Sequence, residues 1–292
     1  MIFSVYIIIP VHNRKANTLK CLQILETNGD LQQYAIIVID DGSTDGTAQA
    51  IQVRYPSVKI LYGDGNLWWG GAIEQGMKYA YDQCAEYLIW LNDDCYPTQG
   101  TIERLVRFCQ CNSNVVVGSQ CLDPDTLKPS YGGILLKNHQ IQSINCEFGT
   151  FIECDALNGN LVCLPRSVID SIGYPDSSNF PHHYNDFVYT HKAKRRHYKI
   201  FLSNQSTVYC KDNSFNASWL TLSSTFLIKI WIDYFNKNSY YYWKIGLKAY
   251  QAFFGFWGIF IYFYDRILKL SIAFLIVSIL PLSVRQYIKN KK

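Results

Sequence analysis

Three apolar runs in the first hundred residues each end in a cluster of polar side chains, and this pattern restricts the fold more than any other feature of the chain. Residues 3–9 run into Pro10 and VHNR, residues 35–39 (AIIVI) into DDGSTDGT, and residues 87–91 (YLIWL) into Asn92, Asp93 and Asp94. Leu19, Leu22 and Leu25 recur at helical spacing after the first run. Further helices are expected from about Thr47 and over 72–83, with a short strand, KILY, at 59–62. Strands and helices alternating at this spacing predict a doubly wound, mostly parallel α/β sheet. Ligands of such sheets sit beyond the carboxyl ends of the strands, where the three polar clusters fall. Pro10 and Pro97 are expected to end their segments. Downstream come short strand-like runs over 115–164, a helix over 166–172, a polar aromatic loop, a basic helix over about 187–195 and a last strand, KIFLS.

The net charge of +4 conceals an asymmetry. Residues before 220 carry a net charge of −4, whereas residues 220–292 hold 10 Lys/Arg against 2 Asp/Glu and 19 of the 45 aromatic side chains. We read residues 1–219 as a globular catalytic domain and 220–292 as a helical, aromatic and basic tail suited to an anionic membrane surface. Its apolar character is a poor match for a phosphate groove, so nucleic acid is not an expected partner. The apolar runs 249–264 and 270–282 are shorter than a spanning helix requires. Between them Asp265, Arg266 and Lys269 share one helical face, so a peripheral or monotopic attachment is expected. The ten cysteines show no paired zinc-type spacing and read as buried free thiols, in keeping with a reducing compartment. The first ten residues read as a strand, not a signal peptide.

Each polar cluster allows a chemistry. Two adjacent carboxylates at a strand end repel unless a cation takes up the field, so Asp93 and Asp94 suggest Mg²⁺ or a similar hard cation held with phosphates. On an extended segment the two would point to opposite sides, one to the metal and the other to ribose, backbone or water. In DDGSTDGT an exposed carboxylate could accept from a base or ribose; a calcium loop is excluded by Gln52 at the twelfth position. GDGNLWWGG reads as a glycine loop in which Gly70 and Gly71 let a phosphate or sugar approach, with Trp68 and Trp69 as walls or as core. In HHYND, Asp186 is open to a helix N-cap role, and His182 and His183 to a weaker reading as metal ligands.

Together IIIPVHNR, VIDDGSTDGT, LNDD and NGNLVCLPRSVIDSIGYPD followed by YND closely resemble the family 2 glycosyltransferases of the GT-A fold, over about residues 3–205, with most likeness to a rhamnosyltransferase-like branch. The resemblance implies a nucleotide-diphosphate sugar donor, with Pro10, His12, Asn13, Asp41, Gly70, Gly71 and Asp93 on the donor side. It implies Mg²⁺ or Mn²⁺ on Asp94, Gly159 in the acceptor loop and Asp186 as catalytic base. Asn92 and Asn185 stand where relatives carry acids. The Q-x-x-R-W pattern of processive synthases is absent, which favours transfer of a single sugar. The reaction implied is an inverting transfer to a glycan or lipid-linked acceptor at the cytoplasmic membrane face. A sugar-1-phosphate nucleotidyltransferase would need a glycine-rich N-terminal loop that PVHNR lacks. An inactive sugar-binding protein would have no reason to keep Asp41, Asp94 and Asp186.

Overall fold

Residues Val5–Val11 form strand β1, and Ile7, Ile8 and Ile9 within it are fully buried. A strand apolar on both faces fits only the middle of a covered sheet. In the computed structural model, which describes residues 4–212, 224–236, 242–281 and 283–284, β1 lies between two parallel neighbours, β2 (Ala35–Asp40) and β4 (Tyr87–Leu91). Beyond β2 lies β3 (Lys59–Tyr62). The helices α1 (Lys15–Asn28), α2 (Asp30–Gln33), α3 (Thr47–Arg54) and α4 (Trp68–Asp82) connect these strands.

A ribbon strand β5 (Cys95–Pro97) and helix α5 (Thr101–Cys111) follow, then β6 (Val115–Ser119), β7 (Gly133–Lys137), β8 (Gln140–Ile144), β9 (Phe151–Cys154), β10 (Ala156–Leu157) and β11 (Leu161–Pro165). Helices α6 (Arg166–Ile172) and α7 (Asn185–Lys194) precede β12 (Lys199–Ser203) and β13 (Val208–Cys210). The eight-stranded sheet has the order β3-β2-β1-β4-β11-β6-β12-β9, in which only β11 and β9 run against the others. The strand order reverses direction at β1 and β4, which makes a switch point at their carboxyl ends.

The alternation along β1 divides the core. Ile7 and Ile9 pack with Leu22 and Leu25 of α1 on one face, and Ile8 packs with Ile73 and Met77 of α4 on the other. Several boundaries differ from those expected. Pro10 does not end β1, because its pairing with β4 stops at Ile8 and the missing N–H is not needed on that side. Pro97 ends β5 as expected, opposite Val208 in a two-stranded ribbon. Helix α4 begins at Trp68, so Gly70 and Gly71 lie in its first turn and not in a loop. All ten cysteines are free; eight are buried, and Cys84 and Cys111 are exposed.

The chain divides into two compact units, Met1–Asp212 and Asn213–Lys292, and the expected boundary at 219/220 lies outside the described residues. The second unit contains α8 (Ser224–Asp233), α9 (Trp243–Phe254), α10 (Trp257–Tyr262) and α11 (Lys269–Ile279), the last two joined by a π-helical turn over Phe263–Leu268. Gly246 of α9 admits Tyr262, since a Cβ there would come within 2.7 Å of that ring. The expected clustering of Asp265 and Lys269 is present as an ion pair of 2.5 Å. Phe256, Trp257, Phe260, Phe263, Tyr264 and Leu268 are exposed. Among the described residues no helix is long and apolar enough to cross a membrane.

The packing of α4 on the sheet gives a direct test. A Cβ on Gly76 would lie 2.4 Å from Ile8 Cγ2 and 2.8 Å from Ile39 Cδ1. Gly76→Val should therefore cost about 1–3 kcal/mol of stability through overpacking, read as a lower urea midpoint at unchanged slope.

Candidate active site

The turns after β1 and β2 are bonded to each other. Asn13 takes a left-handed conformation (φ 52°), which Asn tolerates well. From there its N–H donates to Ser43 Oγ at 2.8 Å, and its Oδ1 accepts the Thr44 N–H at 2.7 Å. His12 donates from Nδ1 to the Asp41 carbonyl at 2.5 Å, and its Nε2 then accepts from the Asn13 amide at 3.1 Å. That pair of partners assigns the neutral Nδ1–H tautomer. Pro10 precedes these turns as the penultimate residue of β1.

Asp41 is less exposed than the sequence suggests. Its carboxylate is buried, and it accepts the Gly65 N–H at 2.8 Å and the Trp68 N–H at 3.0 Å. It therefore organises the loop that starts α4, because two orphan N–H groups need an acceptor there. Trp68 is held at φ 55°, a strained angle for a bulky residue, with its half-exposed ring against His182 at 5.5 Å. Gly70 is small for packing: a Cβ would lie 2.4 Å from Asn185 Nδ2 and 2.6 Å from the Phe180 carbonyl. The same holds for Gly71, against Leu67 at 3.2 Å. The open approach expected of these two glycines is thus replaced by close packing.

Asp93 and Asp94 do not point to opposite sides. The chain turns after β4, with the Cys95 N–H donating to the Asn92 carbonyl at 3.0 Å, so the extended-strand rule no longer applies. Both carboxylates reach Arg14 from the end of β1: Nε lies 3.1 Å from Asp93 Oδ2, and Nη2 lies 2.6 Å from Asp94 Oδ2. Asp93 is buried, with Thr18 Oγ1 donating to it at 3.2 Å, whereas the Asp94 side chain is 25% exposed. Burial pushes Asp93 up to about 7, against the opposing pull of Arg14.

Asn92 faces away from that pair. Its Oδ1 accepts Trp69 Nε1–H at 2.8 Å, and its amide donates to Asn160 Oδ1 at 2.6 Å. One residue before Asn160, the Gly159 N–H donates to Asp186 Oδ2 at 2.7 Å. Asp186 is the second residue of α7, whose N-cap is Tyr184, so it is not the cap. The other carboxylate oxygen accepts the Phe187 N–H at 2.8 Å, and burial raises Asp186 to about 6. Asn185 is buried and donates to the Phe180 carbonyl at 2.7 Å, a structural role. Bonds thus connect Asp186 through Gly159, Asn160 and Asn92 to the turn that bears Asp94.

Residues 6–156, just over half of the chain, match the family described as Glycosyl transferase family 2. The chain belongs to glycosyltransferase family 2. Glycosyltransferase AglE of Haloferax volcanii is 32% identical over 104 residues, which are 34% of this chain and 33% of AglE, so the match spans about a third of that relative. Among solved structures, the S. aureus TarS fragment 1-349 aligns at a TM-score of 0.54 and 16% identity, covering 90% of this chain and 72% of that one. The mannosyltransferase PcManGT of Pyrobaculum calidifontis, in complex with GDP-Man and Mn²⁺, aligns at 0.56 and 13%, covering 99% and 79%. GalNAc-T7 with UDP, GalNAc and Mn²⁺ aligns at 0.59 and 14%, covering 96% and 58%. These likenesses establish the GT-A fold.

The carboxylates at the strand ends differ in what they offer a divalent cation. Asp94 offers a hard oxygen at the surface, while Asn92 and Asp93 are engaged elsewhere. Among the described residues no three His, Cys, Asp or Glu side chains form a metal cluster, and His182 and His183 pack on each other at 4.4 Å. This set fits a Mg²⁺ or Mn²⁺ that arrives with phosphate ligands, since such cations need only one or two carboxylates. The residues that sequence reading missed are Arg14, Thr18 and Asn160. Arg14 was visible only as the last letter of PVHNR.

Gly159 is closely packed. A Cβ there would lie 2.4 Å from Trp69 Cζ2 and 3.0 Å from Asp186 Cβ. Gly159→Ala should displace Asp186 and lower sugar transfer by about 10²-fold, measured as kcat at saturating donor, with unfolding followed in parallel.

Proposed function

We propose that the chain is an inverting, metal-dependent glycosyltransferase moving a single sugar from a nucleotide-diphosphate sugar to a hydroxyl of a glycan or lipid-linked acceptor. The bonded path from Asp186 to the Asp94 turn carries this reading, because it holds a base and a cation-binding carboxylate in one rigid frame. Relatives solved with UDP, GalNAc and Mn²⁺ and with GDP-Man and Mn²⁺ support the donor class and the choice of Mg²⁺ or Mn²⁺.

Asp186 takes the proton of the attacking hydroxyl. Burial tunes it close to neutral pH, where a base is both unprotonated and proton-accepting. Gly159 and Phe187 N–H groups fix its orientation. Asp94 would hold the divalent cation, which when bound supplies neutralisation of the charge growing on the leaving diphosphate. His12 and Asn13 keep the donor-side turns together, and Asp41 shapes the loop that walls them.

Asp94→Asn should abolish metal-dependent donor hydrolysis and transfer. Asp186→Asn should leave nucleotide binding intact and lower transfer by about 10²–10⁴-fold; a near wild-type rate in this variant would remove the base assignment. In the wild type, kcat at saturating donor should fall as pH drops through about 6, because protonation disables Asp186.

The second unit supports peripheral attachment at a cytoplasmic membrane face. Its exposed aromatic side chains are of the kind that settle at the headgroup boundary, and the basic surplus of residues 220–292 suits anionic lipid. The combined variant Trp257→Ser, Phe260→Ser and Tyr264→Ser should reduce co-sedimentation with phosphatidylglycerol-containing vesicles at least severalfold. Unchanged sedimentation would discard the attachment.

A further inference from the structure

Arg14 is unusual among the site residues in contacting two acidic groups at once. It follows β1, Asp93 and Asp94 follow β4, and the two ends meet at the switch point of the sheet. Thr18, one turn along α1, shares its single hydroxyl hydrogen between the Arg14 carbonyl (3.0 Å) and Asp93 (3.2 Å), so Asp93 has both Thr18 and Arg14 as partners. Among the described residues Asp94 is bonded to the guanidinium alone, and it is the more exposed of the pair. The guanidinium is itself 41% exposed. It borders an open depression of about 660 Å³ whose lining includes Asn13 and Lys15 at the start of α1 and Asp45 from the turn before α3.

We infer that Arg14 is an exchangeable counter-ion of the donor site: it competes with the divalent cation for Asp94, and the donor's diphosphate takes over the displaced guanidinium. The inference rests on the proposed function, since it supposes a diphosphate and a cation at this turn. Three physical points support it. A dication on the Asp94 carboxylate would share that carboxylate with a guanidinium 2.6 Å from Oδ2, and two cations on one ligand repel. The planar fork of arginine matches phosphate oxygens as well as it matches carboxylate. Arg14 and Lys15 present two cationic side chains beside the open depression, and because the Asp45 carboxylate there already accepts the Lys15 N–H at 2.9 Å, the attraction for an anion rests on those side chains and not on the helix start. Anchored Asp93 would remain in place while Asp94 changes partner. Cation and nucleotide should then bind cooperatively, each weakly alone, because either one alone leaves a charge of Arg14 or Asp94 without its match.

The test is Mn²⁺ titration by calorimetry at pH 8 on the full-length protein and on Arg14→Met, Arg14→Lys and Arg14→Met/Asp94→Asn, with and without UDP, GDP or dTDP. Removing the guanidinium should tighten Mn²⁺ binding without nucleotide at least tenfold, and the Asp94→Asn change should reverse the gain. Arg14→Lys, which keeps the charge, should stay within a few fold of the wild type in that arm. With nucleotide, Arg14→Met should bind the diphosphate at least tenfold more weakly than the wild type. Unchanged or weaker Mn²⁺ binding by Arg14→Met would overturn the inference, as would a gain that survives Asp94→Asn. Melting curves of each variant separate these outcomes from a loss of fold, and Arg14→Gln, which removes the charge but keeps a polar side chain and should tighten Mn²⁺ binding in the same way, provides the reading if the methionine variant does not fold. Should no nucleoside diphosphate bind the wild type, the donor reading fails, while the nucleotide-free arm still decides whether Arg14 and the cation compete.

Discussion

Parallel pairing of β1 with β2 on one side and β4 on the other is the constraint from which the site follows. Because β1 is apolar on both faces, it can be stable only with neighbours and helices on every side. Parallel neighbours end at the same edge, so the turns after all three strands must emerge together. Asn13 then meets Ser43 and Thr44 across one boundary, and Arg14 meets Asp93 and Asp94 across the other. A shift of register at either boundary would separate these groups while leaving every residue type unchanged.

The second organising element is Trp69. Its indole N–H satisfies Asn92, its ring fills the space above Gly159 and its edge meets Trp90 at 5.5 Å. It thereby fixes the distance between the turn bearing Asp94 and the loop that orients Asp186. Partly buried polar groups here are paired in sequence, Trp69 to Asn92 to Asn160, so the network resists deformation. The two carboxylate environments it separates are chemically distinct. Asp186 has only backbone N–H partners and is raised by burial, which suits proton transfer; Asp93 and Asp94 face a guanidinium, which suits charge exchange.

Much of the fold was legible because burial on both faces leaves unbroken apolar runs, as in YIII, IIVI and YLIWL, and each run ended in a polar turn. The family motifs were legible because polar residues at strand ends keep their order in the chain. Legibility failed where one residue type serves two purposes. Gly70 looked like a phosphate approach and instead admits Asn185 and the Phe180 carbonyl. Asp41 looked exposed and instead satisfies two loop N–H groups. Pro10 looked like a stop, yet it lies where β1 is paired on one side alone.

By itself, then, the sequence determined a mostly parallel α/β sheet, three polar strand ends and the family to which they belong, since apolar periodicity and local motif order survive without knowledge of contacts. The tertiary structure alone decided that Arg14 is the partner of both aspartates and that Gly159 touches Trp69 and Asp186. Arg14 and Asp94 are 80 residues apart, and Gly159 and Asp186 are 27 apart. No local propensity links such positions; they meet because strand pairing brings their turns to one edge of the sheet.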